Sequence, residues 1–196
     1  MAKLLEKGIV QVENAQALWA CLDKNTLYVL YDECFGNGFF DPTWSGEKYT
    51  IEEVAEIFED YAENGMLVLC QCQNTNEIIG FCAALPLSRK TDIIAVIQEH
   101  LEDAFLYWYY ADIGVRPQHR NQGIANKLAC NLLKILPTGR VILRVRTDNN
   151  ASIALHKKLG FTALVNKYGH EVRQQVPQLR KTGEIKTDEK IYFINK

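Results

Sequence analysis

The chain has 196 residues, 47% hydrophobic and 23% charged, with a formal net charge of -2, the makeup of one ordinary globular domain with a real core. The charge excludes nucleic acid as the main partner, since no basic excess exists to release counterions from a phosphate backbone. No basic-apolar leader and no apolar run of membrane-spanning length is visible, so a soluble protein with no membrane partner is expected.

The cysteines, Cys21, Cys34, Cys70, Cys72, Cys82 and Cys130, lie scattered in apolar runs, without zinc-site spacing or the density of a disulfide scaffold. They read as reduced core residues of a cytoplasmic protein. No metal site is expected; Cys70 and Cys72, two apart on a strand, make only a weak pair of ligands.

In chain order, residues 4–12 suit a first strand, and Asn14 can cap a helix carrying Ala17, Leu18, Cys21 and Leu22. After Leu27–Tyr31 comes a Gly- and aromatic-rich segment, Phe35 to Gly46, whose irregular backbone either plugs a core edge or lines a pocket. Thr50 and Glu53 form a capping-box pattern for a helix reaching Asn64–Gly65, with Ile51, Val54, Ala55, Phe58 and Tyr61 on its apolar face. Its acidic face (Glu52, Glu56, Glu59, Asp60, Glu63) reads as solvated, with attraction of a cationic amine as the sharper alternative. Met66–Cys72 and Ile78–Leu87 flank a turn-forming stretch and predict an antiparallel hairpin. Residues 91–104 suggest an extra helix, and Phe105 to Val115 a strand in which Gly114 marks a bulge or a close backbone approach.

The stretch Val115-Arg116-Pro117-Gln118-His119-Arg120-Asn121-Gln122-Gly123-Ile124-Ala125 then reads as strand end, tight polar loop and helix start. First-turn N–H groups lack intrahelical partners and the helix dipole adds positive charge there, so this is an anion site in waiting. A buried stripe of Ile124, Ala125, Leu128, Ala129, Leu132, Leu133 and Leu136 forms the helix that follows. Residues 140–147 alternate as a strand, and Asp148-Asn149-Asn150 supplies caps for a helix through His156 to Gly160. Phe161 to Val165 and Lys190 to Ile194 are the last strand candidates. Between them Glu171 to Glu189 is polar, and a loop that long is uncommon unless it is functional or mobile.

Two segments resemble the GNAT superfamily of N-acetyltransferases. Val115, Pro117, Arg120, Gly123 and Ala125 match its motif V-x-P-x-x-R/Q-x-x-G-x-G/A, and Asn149 to Phe161 is similar to its N-x-x-A-I-x-L-Y/H-x-K-L-G-F segment. The resemblance implies an α+β (mixed α/β) fold in one domain over residues 1–196. Its sheet would be mixed, mostly antiparallel, of about seven strands, with helices on both faces and a splay between the strand ending at Val115 and that beginning at Arg140. It also implies acetyl-CoA as cosubstrate, with Arg120 and Gly114 of this stretch among the residues that bind it. The pantetheine arm would pair with Ile113 and Val115, and the pyrophosphate would rest on the amides of Asn121, Gln122, Gly123, Ile124, Ala125 and Asn126. Backbone N–H near a bulge at Gly114 would hold the oxyanion.

Asn149 and His156, seven apart on one helical face, would both meet the cosubstrate. His156 occupies the position of the family tyrosine that protonates the leaving thiolate, and a neutral imidazole N–H can donate a hydrogen bond as a phenol can; the plainer alternative is a capping or surface histidine. The family's base position on the strand before the loop holds Tyr109 and that on the next strand holds Arg144, so Asp112, directly or through a water shared with Tyr109, becomes the candidate base, with a paired structural carboxylate as the alternative. Transfer to a primary amine of a small molecule is the expected function, with homodimer formation left open. A protein N-terminus or lysine is the second acceptor class, and a non-catalytic acyl-CoA-binding or interaction module is the competing class.

Overall fold

The computed structural model of the chain describes residues 3–6, 8–36 and 48–195. Its elements run β1 (Lys3–Glu6), β2 (Ile9–Val12), α1 (Ala15–Cys21), α2 (Lys24–Tyr31), α3 (Ile51–Asn64), β3 (Met66–Gln71), β4 (Ile78–Pro86), α4 (Thr91–Ile97), β5 (Trp108–Val115), α5 (Ile124–Ile135), β6 (Val141–Arg146), α6 (Asn150–Lys158), β7 (Thr162–Ala163), β8 (Arg173–Leu179) and β9 (Ile185–Asn195). A single π-helical turn, Asp32–Gly36, extends α2. The predicted aromatic segment lies largely at 37–47, outside the described residues. Among the described residues no helix is long and apolar enough to cross a membrane.

The fold class is the one expected: α and β elements mixed along the chain, with β5 and β6 parallel and the registers of β1 with β2, β2 with β3, β3 with β4, β6 with β9 and β7 with β9 antiparallel. Two expectations need correction. The first strand is a hairpin, β1 and β2, because Gly8 at φ +86 allows a turn inside it. The predicted long loop from Glu171 to Glu189 is mostly β8 and the start of β9; β8 alternates between exposed and half-buried residues, a strand whose polar composition hid its period. Its turn is closed by Gly183 N–H to the Arg180 carbonyl at 2.8 Å and Arg180 N–H to the Glu184 carbonyl at 2.9 Å. Smaller differences are a shorter α4 and a two-residue β7.

The chain forms two compact units, Met1–Ala84 with Asp112–Ile135 and Leu179–Glu184, and Leu85–Ala111 with Leu136–Gln178 and Ile185–Lys196. In the first, helices cover both sides of β4. Gly80 faces α5, where an added Cβ would lie 3.2 Å from Leu128, and the next residue, Phe81, points the other way and meets Phe58 of α3 with ring centroids 4.9 Å apart. The α3 helix has the predicted capping box, Thr50 with Glu53. In the second unit, Ile93, Ile94 and Ile97 of α4 pack with Leu101, Tyr107, Tyr109, Ile142, Leu164, Val172 and Tyr192 into one apolar cluster.

Candidate active site

In the first unit the second half of β5, the loop and the start of α5 form the stretch expected to seat an anion. Gly123, at φ +78, immediately precedes the helix and has no side chain to cap it; nothing lies within 4 Å of where its Cβ would stand. Asn121 also has a positive φ, +61, so the backbone coils under the first turn, where helix N–H groups have no intrahelical partner. The side chains of Gln122 and Asn126 stay on their own segment, bonding the Gln118 carbonyl at 3.5 Å and Cys130 Sγ at 3.9 Å.

Two arginines brace this loop. Arg116, 6% exposed, donates from Nε to the Ile78 carbonyl at 2.8 Å and pairs through Nη1 with Glu33 and Glu77, each at 3.0 Å. Arg120, expected as a cosubstrate residue, donates from Nε to the Val115 carbonyl at 2.8 Å and from Nη2 to the Cys34 carbonyl at 3.4 Å. The Val115 carbonyl, one backbone group of the stretch expected to meet the pantetheine arm, accepts this Arg120 bond.

Gly114 is a close approach, one of its two sequence readings: a Cβ there would fall 2.7 Å from Phe81 Cε1 and 2.8 Å from Cys34 Sγ. Two residues before it on the same strand stands Asp112. Its Oδ2 accepts hydrogen bonds from Tyr61 at 2.5 Å and Tyr31 at 3.1 Å. Among the described residues Oδ1 has no hydrogen-bond partner. The sequence reading gave neither tyrosine a role in the site, although a phenol on a buried helix face needs a partner, which was the available signal.

In the second unit, β5 and β6 pair in parallel only at Trp108↔Val141 and Tyr109↔Ile142. Tyr109 belongs to the apolar cluster. Tyr110, on the opposite face of the strand, packs edge-on against His156 with centroids 5.1 Å apart, and Phe161 meets the same imidazole at 5.7 Å. Tyr109 and His156 thus lie on opposite faces of β5. Arg144 bonds Asp92 at 3.1 Å and Gln174 at 3.0 Å.

His156 is 3% exposed, and burial pushes its pKa down to about 4, against the opposing effect of its bond to Ser152. Its Nδ1 lies 2.8 Å from the Ser152 carbonyl. A carbonyl only accepts, so Nδ1 carries the hydrogen and Nε2 is a bare lone pair. That Nε2 is buried without a hydrogen-bond partner. The sequence reading offered either an N–H donor to a thiolate or a surface histidine; the ring is a buried one whose N–H is already engaged. Asn149 caps α6, its Oδ1 accepting from Ser152 N–H at 3.0 Å.

The family model described as the Acetyltransferase (GNAT) family matches residues 24–161. This chain belongs to the GNAT acetyltransferase family. Over 49 residues it is 45% identical to the N-alpha-acetyltransferase RimI of Mycobacterium tuberculosis, a match covering 25% of this chain and 31% of that protein. The fold is that of the phosphinothricin acetyltransferase of Sinorhizobium meliloti solved with AcCoA (TM-score 0.59, 16% identity, 96% of this chain and 88% of that one). It is also that of the ribosomal-protein-S18-alanine N-acetyltransferase of Escherichia coli (TM-score 0.56, 15% identity, 88% and 86%). GNAT acetyltransferases take their acyl group from acetyl-CoA.

Proposed function

We propose that this chain transfers acetyl from acetyl-CoA to a primary amine of a small molecule, with Asp112 as the proton acceptor. The observation that carries the reading is a carboxylate two residues before Gly114, with one oxygen held by two phenols and the other without a partner among the described residues. The acceptor's nitrogen would be deprotonated at Oδ1 next to the stretch Ile113, Gly114 and Val115, where the reactive end of the cosubstrate would run. The diphosphate would rest on the amides from Asn121 to Asn126.

His156 enters this reading as an acceptor. With a pKa of about 4, roughly one ring in a thousand is an imidazolium at pH 7, so proton donation to the thiolate would draw on a very small population. A bare, buried Nε2 suits a hydrogen-bond donor such as an amide N–H or a thiol. Tyr109 has a packing role, and Asn149 acts as the cap that orients the helix bearing His156.

The β8–β9 turn is fastened beside the helix end that carries Tyr31: Lys181 Nζ lies 2.5 Å from Asp32, on the turn that follows Tyr31, and Lys48 N–H bonds the Leu179 carbonyl at 3.2 Å. The match to an N-alpha-acetyltransferase supports protein N-termini as the second reading. Thiol release from acetyl-CoA, followed with a panel of small primary amines and of peptides with free N-termini, separates the two. Release with amines is expected, release with peptides alone would move the assignment to protein acetylation, and none with either would leave a binding module.

A further inference from the structure

We propose that Tyr31 and Tyr61 are positioning residues that set Asp112 for proton transfer, an inference that rests on Asp112 being the proton acceptor. Tyr31 ends α2, Tyr61 lies on the buried face of α3, and both are nearly enclosed, 4% and 5% exposed. Their positions are fixed by ring packing. Tyr31 lies 5.9 Å from Phe81 and 6.1 Å from Phe58, and Tyr61 lies 6.2 Å from Phe58, all between ring centroids. Two hydroxyls fastened to two helices thus reach one oxygen of one carboxylate.

That arrangement does what neither bond could do alone. A carboxylate rotates freely about its Cβ–Cγ bond, and a single donor leaves the second oxygen free to swing; two donors from different directions fix the plane. Both fall on Oδ2, so the remaining basic lone pairs belong to Oδ1. Cys34, on the π-helical turn, interacts electrostatically with Asp112, and burial pushes its thiol up to about 12, so it stays neutral.

The step balances. A protonated amine gives one proton to Oδ1, and the freed amine attacks the thioester carbonyl, forming C–N and breaking C–S. CoA leaves as thiolate, the amide nitrogen sheds its second proton to that sulfur, and Asp112 returns its proton to solvent. Hydrogen bonds to Oδ2 favour the ionised carboxylate. Losing them should raise the pH at which the acid limb of kcat/KM rises.

The experiment measures pH profiles of kcat/KM, with the responsive amine, for the native chain, Tyr31→Phe, Tyr61→Phe and the double variant, alongside acetyl-CoA affinity by calorimetry. Phenylalanine keeps the ring packing. The expected result is a fall at pH 7 of about 3-fold for Tyr31→Phe and about 10-fold for Tyr61→Phe, the shorter bond, with the acid limb displaced upward by roughly one pH unit in the double variant and acetyl-CoA affinity unchanged. Site-specific difluorotyrosine at position 61, a stronger donor, should move the limb the other way. A uniform fall across pH, or no fall, overturns the proposal. Asp112→Asn, measured separately, tests the reading beneath it: full activity there removes Asp112 as proton acceptor, whereas inactivity of Asp112→Asn combined with unmoved tyrosine profiles defeats the positioning role alone.

Discussion

The loop after β5 and the surroundings of His156 are built on opposite plans. The loop offers main-chain groups: amides at a helix start, a glycine with open space over it, and arginines that face inward to brace it. Around His156 the unpaired group is one side-chain atom, Nε2, on a ring enclosed by Tyr110 and Phe161 and oriented by its own helix through the Ser152 carbonyl. Backbone sites tolerate changes in neighbouring side chains but not in conformation. A side-chain site inherits the polarity and proton state that burial imposes.

The two glycines beside the loop sharpen this contrast. Gly114 exists for lack of space, with Phe81 and Cys34 inside 3 Å of a would-be Cβ, whereas Gly123 exists for a positive φ in open space. Gly114→Val should therefore have the largest effect of all, destabilising the fold by about 3 kcal/mol or more in urea unfolding. A loss below 1 kcal/mol would mean that the β5 backbone can retreat from α2 and its turn.

A different probe reaches His156. Its folded pKa, about 4, lies below the ordinary 6.5, so between those values the unfolded chain binds a proton that the folded chain refuses, and stability rises with pH there. The contribution is whole above pH 6.5 and is lost as pH falls towards 4, about 3 kcal/mol in all. Urea unfolding at pH 7 and pH 4.5 should show His156→Phe losing less stability on acidification than the native chain. Equal losses would mean that the ring is solvated.

These results bear on what the sequence could show. Helix caps at Asn14, Thr50 and Asn149 and the loop at Gly123 were legible because local chemistry specifies them: each bond spans a few residues. The partners of Asp112 were not, since Tyr31 is 81 positions away and Tyr61 is 51; only packing brings them together. Arg116 lies inside the motif, yet its pairing with Glu33 and Glu77 is equally non-local. The state of His156 was not legible for a related reason, as the proton on Nδ1 follows from helix geometry one turn back and the low pKa from burial. β8 was missed because Gln174, Gln175 and Gln178 carry no hydrophobic period.

The smallest expected effect separates conformation from charge at the loop. Gly123→Ala forces an L residue to φ +78 with no clash to relieve, which should lower stability by about 1 kcal/mol and leave acetyl-CoA affinity within a few-fold. Gly123→Glu carries the same backbone strain but sets a carboxylate over the first-turn amides, where it competes with the diphosphate both as a charge and as a cap. Calorimetry should show affinity falling about 100-fold, roughly 2.7 kcal/mol, while urea unfolding gives the two variants similar stability. If Ala weakens binding as much as Glu does, the loop works through its shape, and the amides are not the seat of the anion. If neither weakens it, the cosubstrate does not touch this helix start, and the backbone plan assigned to the loop fails.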